Sequence, residues 1–176
     1  DQVTSLILTE RPFKVVTNGN TYLADSVILA MGANPRKLNI QGEAVFVGRG
    51  VSFCATCDGW FFKDKDIHVV GGGDSALEEA LFLTRFAKSV AIIHRRDQLR
   101  AGAILERRAR ENPKISFLWD SVVKEIRGSK KVESLLVQNV KTGEQKEVSS
   151  EGVFIFIGHI PNTTLVADQL ELEDNG

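Results

Sequence analysis

Scarcities are the first guide to this sequence. Two cysteines in 176 residues cannot build a disulfide framework or fill a four-ligand zinc site. No apolar run approaches the roughly 18 to 20 residues of a membrane-spanning helix; runs such as residues 153–157 are strand-sized. Neither sign of charge dominates. Lys plus Arg total 22 against 23 Asp plus Glu, and the net charge of −1 argues against an overall nucleic-acid binder. At 43% hydrophobic and 26% charged, the composition is that of an ordinary soluble chain and excludes intrinsic disorder and collagen-like sequence. The opening residues lack a basic segment ahead of an apolar core, so no signal peptide is expected. The chain begins without Met and is expected to be a fragment of a longer protein.

What is present is an alternation of elements. Residues 4–8 and 13–17 are rich in β-formers, and Asn18-Gly19 marks a hairpin turn. The run 26–30 is continuously apolar, which predicts a strand buried on both faces of a parallel sheet. A glycine- and proline-bearing stretch, 33–50, predicts a crossing between units. From Asp66 onward the pattern predicts strand (67–70), helix (76–87), strand (90–94), helix (98–110) and strand (115–119), the signature of a parallel sheet with right-handed crossovers. Three strand-like runs follow (122–126, 132–140, 146–149), then a last apolar strand, 153–157. With an offset of 126, Val27 to Gly32 lies over Val153 to Gly158 and Pro35 over Pro161. The economical inference is two related nucleotide-binding domains, with the glycine-rich half of the first one absent. The fold class is therefore α/β: a Rossmann-like nucleotide-binding domain with a parallel sheet plus β-meander, flanked by pieces of a second, related domain.

Residues 71–76, GGGDSA, fit the dinucleotide fingerprint G-x-G-x-x-A between a predicted strand and a predicted helix. Among Gly71, Gly72 and Gly73, the first allows a tight turn and the third lets backbone approach a pyrophosphate. Ala76 lets the helix lie close to the strand. The helix start, with Asp74 and Ser75, offers unpaired amides to phosphate. An NAD site carries an acid about 20 residues further on. Here His94 stands there, followed by Arg95, Arg96 and Arg100. Arginine forks pair with phosphate oxygens, so the site reads as NADP-selective. Residues 85–114 hold nine Lys or Arg against three acids. Arg107, Arg108 and Arg110 are expected to form a solvated face, and no interleaved aromatics support a nucleic-acid patch.

Cys54-Ala55-Thr56-Cys57-Asp58 is C-x-x-C followed by a carboxylate. Zinc would need two further ligands, and His68, His94 and His159 show no matching spacing, so no metal site is expected. A structural disulfide would close a very small loop. A redox pair with a nearby proton carrier is favoured.

Together these segments resemble the bacterial-type, low-molecular-weight thioredoxin reductases, flavoproteins of the pyridine nucleotide–disulfide oxidoreductase superfamily. The carrying strings are GRGVSFCATCDG (48–59), VVGGGDSALEEA (69–80), HRRDQLRA (94–101), GHIPNT (158–163) and LAMGA (29–33). The resemblance implies hydride transfer from NADPH to FAD, electrons to the Cys54–Cys57 disulfide, and exchange with thioredoxin. It implies that Cys57 faces the flavin, that Cys54 attacks thioredoxin, and that Asp58 is the acid–base. It assigns Gly71, Gly72, Gly73, Asp74 and Ser75 to the pyrophosphate, and His94, Arg95, Arg96 and Arg100 to the 2′-phosphate. It divides the chain into 1–35 (part of the FAD domain), 36–162 (the NADP(H) domain) and 163–176 (the return into the FAD domain). The implied whole is a cytoplasmic homodimer that binds neither membrane nor nucleic acid. This chain alone is expected to bind NADPH without retaining FAD. Two positions depart from the family pattern: Met31 replaces the usual Thr of Ala-Thr-Gly, and Ile160 replaces the Ser of Gly-His-Ser-Pro. The competing expectations are a flavoprotein reductase serving a peroxiredoxin and a non-catalytic NADP-binding module.

Overall fold

Residues rich in Val, Phe and Thr open the chain and pair as an antiparallel meander of β1 (Val3–Ile7), β2 (Phe13–Thr17) and β3 (Thr21–Ala24). The computed structural model describes residues 1–174. The Asn18-Gly19 turn is closed by the Thr17 amide donating to the Asn20 carbonyl at 2.8 Å. The free edge of β1 is satisfied by one side chain: Gln169 accepts from the Leu8 amide at 2.7 Å and donates to the Leu6 carbonyl at 2.8 Å. These residues belong to a first unit, Asp1–Pro35 plus the residues from Gly158 onward, which also holds β4 (Ala33–Pro35).

Arg36–Ile157 form the second unit. Its elements in order are α1 (Glu43–Phe46), β5 (Val51–Ser52), α2 (Ala55–Asp58), a 3-10 turn (Gly59–Phe62), β6 (Asp66–Gly71), α3 (Asp74–Leu83), β7 (Ser89–Ile93), α4 (Ala103–Glu111), β8 (Ile115–Leu118), β9 (Ser121–Gly128), β10 (Val132–Asn139), β11 (Gln145–Ser149) and β12 (Val153–Phe156). Five strands make a parallel sheet ordered β5-β12-β6-β7-β8, and β9, β10 and β11 form an antiparallel meander. The mixed α/β class and the parallel sheet follow the sequence expectation.

Alternation along the central strands explains why their sequences are apolar throughout. Ile67, Val69, Val90, Ile92 and Phe154 join Leu77, Ala80 and Leu83 of α3 in one cluster. Val70, Ile93, Val153 and Ile155 join Val123, Ile126, Leu135 and Val137 of the meander in another. Both faces are covered, as a parallel sheet requires. Among the described residues, no helix is long and apolar enough to cross a membrane.

Three expectations need correction. The apolar run 26–30 is not a strand: it has no regular structure, and Ile28 is 93% exposed. Its counterpart β12 lies between β5 and β6, whereas no described strand flanks 26–30. The first helix starts at Asp74 and ends at Leu83, with Thr84 capping it. The second starts at Ala103 rather than Gln98, because the chain before it is drawn into tertiary hydrogen bonds at the glycine turn.

Within the first unit, β13 (His159–Pro161) pairs antiparallel with β4. Asn34 faces Ile160, the residue at its own offset of 126, so a local two-fold axis relates the ends of the two repeats. Asn162 fixes the arrangement by accepting from Asn34 Nδ2 at 2.9 Å and donating to the Met31 carbonyl at 3.1 Å.

One buried group gives the second unit an acid sensitivity. His68 on β6 is 7% exposed, and its Nδ1 lies 2.9 Å from Ser150 Oγ, which donates to the Gly152 carbonyl at 2.8 Å. Nδ1 therefore carries a proton and donates to Ser150. Burial lowers the pKa of His68 from 6.5 to about 4, against a smaller opposing effect of Asp66. The unfolded chain binds a proton there first, so stability is full above pH 6.5 and falls as the pH drops toward 4. Between pH 7 and 5 the unfolding free energy is expected to fall by about 2 kcal/mol from this group. Urea titrations across that range check it. His68→Asn, which cannot gain charge, should flatten that part of the profile.

Candidate functional site

The glycine turn is built by close packing. A Cβ on Gly71 would collide with the Phe156 carbonyl oxygen and the Ala76 methyl, and Ala76 is fully buried. Glycine here lets α3 start tight against the end of β6. A Cβ on Gly72 would strike the His94 ring, whereas one on Gly73 would stand in open space. That space lies over the first turn of α3, whose leading amides have no intrahelical acceptor and whose N-cap, Gly73, offers no side-chain cap. Ser75 is exposed on this turn.

The Asp74 side chain is occupied by protein backbone. Its Oδ1 accepts the Gly102 amide at 2.7 Å, and the Arg100 amide donates to the Gly72 carbonyl at 2.7 Å. The Asp74 carboxylate thus clasps the 94–102 loop to the glycine turn. Arg100 lies in this loop, not on the following helix.

His94 is held by protein groups as well. It is 6% exposed, its ring packs beneath Gly72, and its Nε2 lies 3.0 Å from the Gln98 carbonyl, to which it donates. Burial lowers its pKa; the positive charges of Arg100, Arg96 and Arg95 act in the same direction, against the Gln98 hydrogen bond. His94 is a neutral spacer between the glycine turn and the basic loop. Arg95, Arg96 and Arg100 are exposed around it, and none has a described carboxylate within ion-pair distance. An open space over unpaired amides, with unpaired guanidiniums on the adjoining loop, fits a nucleotide carrying a pyrophosphate and a further phosphate.

Arg110 is more than a solvated cation. It pairs with Glu106 at 2.7 Å and stacks over Phe117 and Trp119, 5.4 and 5.2 Å from the ring centres.

The cysteines are joined as a disulfide across the first turn of α2, with Cα atoms 5.3 Å apart. Cys54 Sγ accepts the Cys57 amide at 3.2 Å and lies 3.4 Å from Thr56 Oγ1. Cys57 is exposed. Asp58 is anchored by a residue that the sequence reading missed: Ser52 Oγ donates to Asp58 Oδ2 at 2.6 Å and accepts the Cys54 amide at 3.0 Å. Ser52 is buried and ties the Asp58 carboxylate to the backbone of Cys54. Its position before Cys54 carries no spacing signal. Trp60 and Phe61, 63% and 70% exposed, follow directly after the dithiol and were also missed. Among the described residues, no cluster of three or more His, Cys, Asp or Glu could hold a metal.

A thioredoxin reductase of Streptomyces coelicolor is 54% identical over 160 residues, covering 91% of this chain and 50% of that protein. The bifunctional thioredoxin reductase/thioredoxin of Mycobacterium leprae is 51% identical over 162 residues, 92% of this chain and 35% of its own. The crystal structure of Lactococcus lactis thioredoxin reductase superposes with a TM-score of 0.91 at 48% identity, covering 99% of this chain and 58% of that one. The chain spans about half the length of the curated relatives it matches. The family model described as pyridine nucleotide-disulphide oxidoreductase matches residues 1–176 throughout, glycine turn and cysteine pair included, and the chain belongs to that family.

Proposed function

We propose that these residues are the NADPH-handling and dithiol-bearing part of an NADPH-dependent thioredoxin-disulfide reductase. The observation that carries this reading is the Cys54–Cys57 disulfide, with its anchored Asp58, in the same unit as a phosphate-ready glycine turn and unpaired arginines. The amides of α3 and Ser75 hold the pyrophosphate of NADPH, and Arg95, Arg96 and Arg100 hold its 2′-phosphate. The one glycine-rich strand–helix turn among the described residues is given to NADPH on this reading. In the full-length protein FAD supplies the passage of an electron pair from nicotinamide to disulfide.

The disulfide takes two electrons and two protons to become a dithiol, one proton passing by way of Asp58. Cys54, its proton passed to Asp58, then attacks the thioredoxin disulfide as a thiolate and forms a mixed disulfide, releasing one thioredoxin thiolate, which takes up that proton. Attack of Cys57 on Cys54 Sγ releases the second thiolate, which takes up the Cys57 proton; the Cys54–Cys57 bond is restored and thioredoxin is left as the dithiol. Trp60 and Phe61 form the apolar surface against which a protein substrate docks.

The test is an acceptor comparison. The full-length protein, assayed by NADPH oxidation, should reduce thioredoxin and leave a peroxiredoxin disulfide unreduced in the absence of thioredoxin. Turnover with the peroxiredoxin alone would replace this reading with the peroxiredoxin-linked one. Nucleotide binding with no turnover on either would leave a binding module.

A further inference from the structure

The basic loop contains its own competitor. Asp97 directly follows Arg95 and Arg96, and a carboxylate at this place would pair with the guanidiniums and repel an incoming phosphate. Here it pairs elsewhere. Lys141 Nζ lies 2.9 Å from Asp97 Oδ2 and 3.0 Å from Asp120 Oδ1, and Arg95 and Arg96 keep no carboxylate partner among the described residues.

Lys141 is presented from a fixed place. In the turn between β10 and β11, Asn139 Oδ1 accepts the amides of Lys141 and Thr142 at 2.9 and 3.0 Å. Asp120, the second carboxylate, is only 16% exposed and is tied to both sides. Its amide donates to the Arg96 carbonyl at 3.2 Å, and its carbonyl accepts the Val140 amide at 2.6 Å. The adjacent Ser121 amide donates to the His94 carbonyl at 2.9 Å. The meander turn and the basic loop are therefore one hydrogen-bonded body. The hydrogen bond to Asp97 leads in raising the pKa of Lys141, and the same bond leads in lowering that of Asp97, so both are charged at neutral pH.

We propose that Lys141 is a positioning residue for NADPH selectivity: by holding Asp97 against Asp120 it leaves Arg95 and Arg96 free for the 2′-phosphate. The proposal rests on the reading that those arginines receive that phosphate. Loss of Lys141 releases Asp97 to compete for them, while NAD(H), which lacks the phosphate, is unaffected.

Calorimetric titration of the full-length protein with NADP⁺ and with NAD⁺ tests this. Lys141→Ala should weaken NADP⁺ by about three- to fivefold, the scale of an exposed ion pair, and leave NAD⁺ unchanged. Lys141→Arg should keep wild-type affinity. Adding Asp97→Asn to Lys141→Ala should restore NADP⁺ binding, because the competitor is gone. Asp97→Asn alone should stay within about twofold of wild type, since Lys141 already neutralises that carboxylate. Four results overturn the proposal: unchanged NADP⁺ affinity in Lys141→Ala, equal loss for NAD⁺, failure of Asp97→Asn to restore binding, or tightening by Asp97→Asn alone as large as the loss in Lys141→Ala. Arg95→Ala with Arg96→Ala, run in parallel, separates the two readings. If that variant keeps its NADP⁺ preference, the cofactor assignment itself fails; if it loses preference while Lys141→Ala does not, only the role of Lys141 fails.

Discussion

Cys54→Ser is expected to abolish thioredoxin reduction while leaving reduction of the flavin by NADPH, and NADP⁺ binding, intact in the full-length protein. Exchange needs a thiolate, and a serine hydroxyl neither ionises near neutral pH nor forms a mixed disulfide. The drop should be about three orders of magnitude or more, as when a covalent nucleophile is removed. The geometry favours Cys54 for this role because its sulfur accepts the Cys57 amide and lies beside the Thr56 hydroxyl. In the wild-type chain, dithiothreitol should expose both thiols of the Cys54–Cys57 bond, countable with a thiol reagent. A Cys54→Ser protein that still reduced thioredoxin at the normal rate would transfer the nucleophile's role to Cys57.

Local spacing made the βαβ frame legible. A strand, three glycines and a helix within residues 66–83 are contiguous in sequence, and their contacts are mostly with each other or with the next strand. The same was true of the cysteine pair, whose chemistry is written in five consecutive residues. What failed depended on distant partners. The apolar run 26–30 signals burial but not what flanks it, and no described strand does. Helical spacing continues unbroken through 98–110, yet two hydrogen bonds from Arg100 and Gly102 to the glycine turn hold the first residues out of the helix. His94 occupies the position where a ribose or phosphate ligand was expected, but it packs under Gly72 and spends Nε2 on Gln98. The Asp74 side chain joins the two loops, a contact between residues 28 apart that local spacing does not announce. Ser52 and Lys141 gave no signal, because each acts through a neighbour that only the fold brings near.

That joining gives the cofactor prediction its particular form. The glycine turn and the basic loop are connected at Gly72–Arg100, Asp74–Gly102 and Gly72–His94, so substitutions in the arginine side chains leave the backbone of the phosphate turn in place. Arg95→Ala with Arg96→Ala should therefore remove 2′-phosphate contacts without disturbing the pyrophosphate. Hydrogen bonds to charged groups contribute roughly 1.5–3 kcal/mol each before solvent screening. Both arginines are exposed, which discounts that figure. Two such contacts together correspond to about a hundredfold weaker NADPH binding. NADH should hardly change, since it presents no group to this loop. The loss should appear in the Michaelis constant for NADPH with kcat nearly preserved, because the hydride-donating end of the nucleotide is untouched. The wild-type preference should itself shrink as salt rises, by screening of exposed charge, and the double variant should show little of that dependence. If the double variant kept both its preference and its salt dependence, the arginines would be a solvated basic face. The preference would then have to come from another cation, Arg100 first, because the α3 amides and Ser75 cannot tell NADPH from NADH.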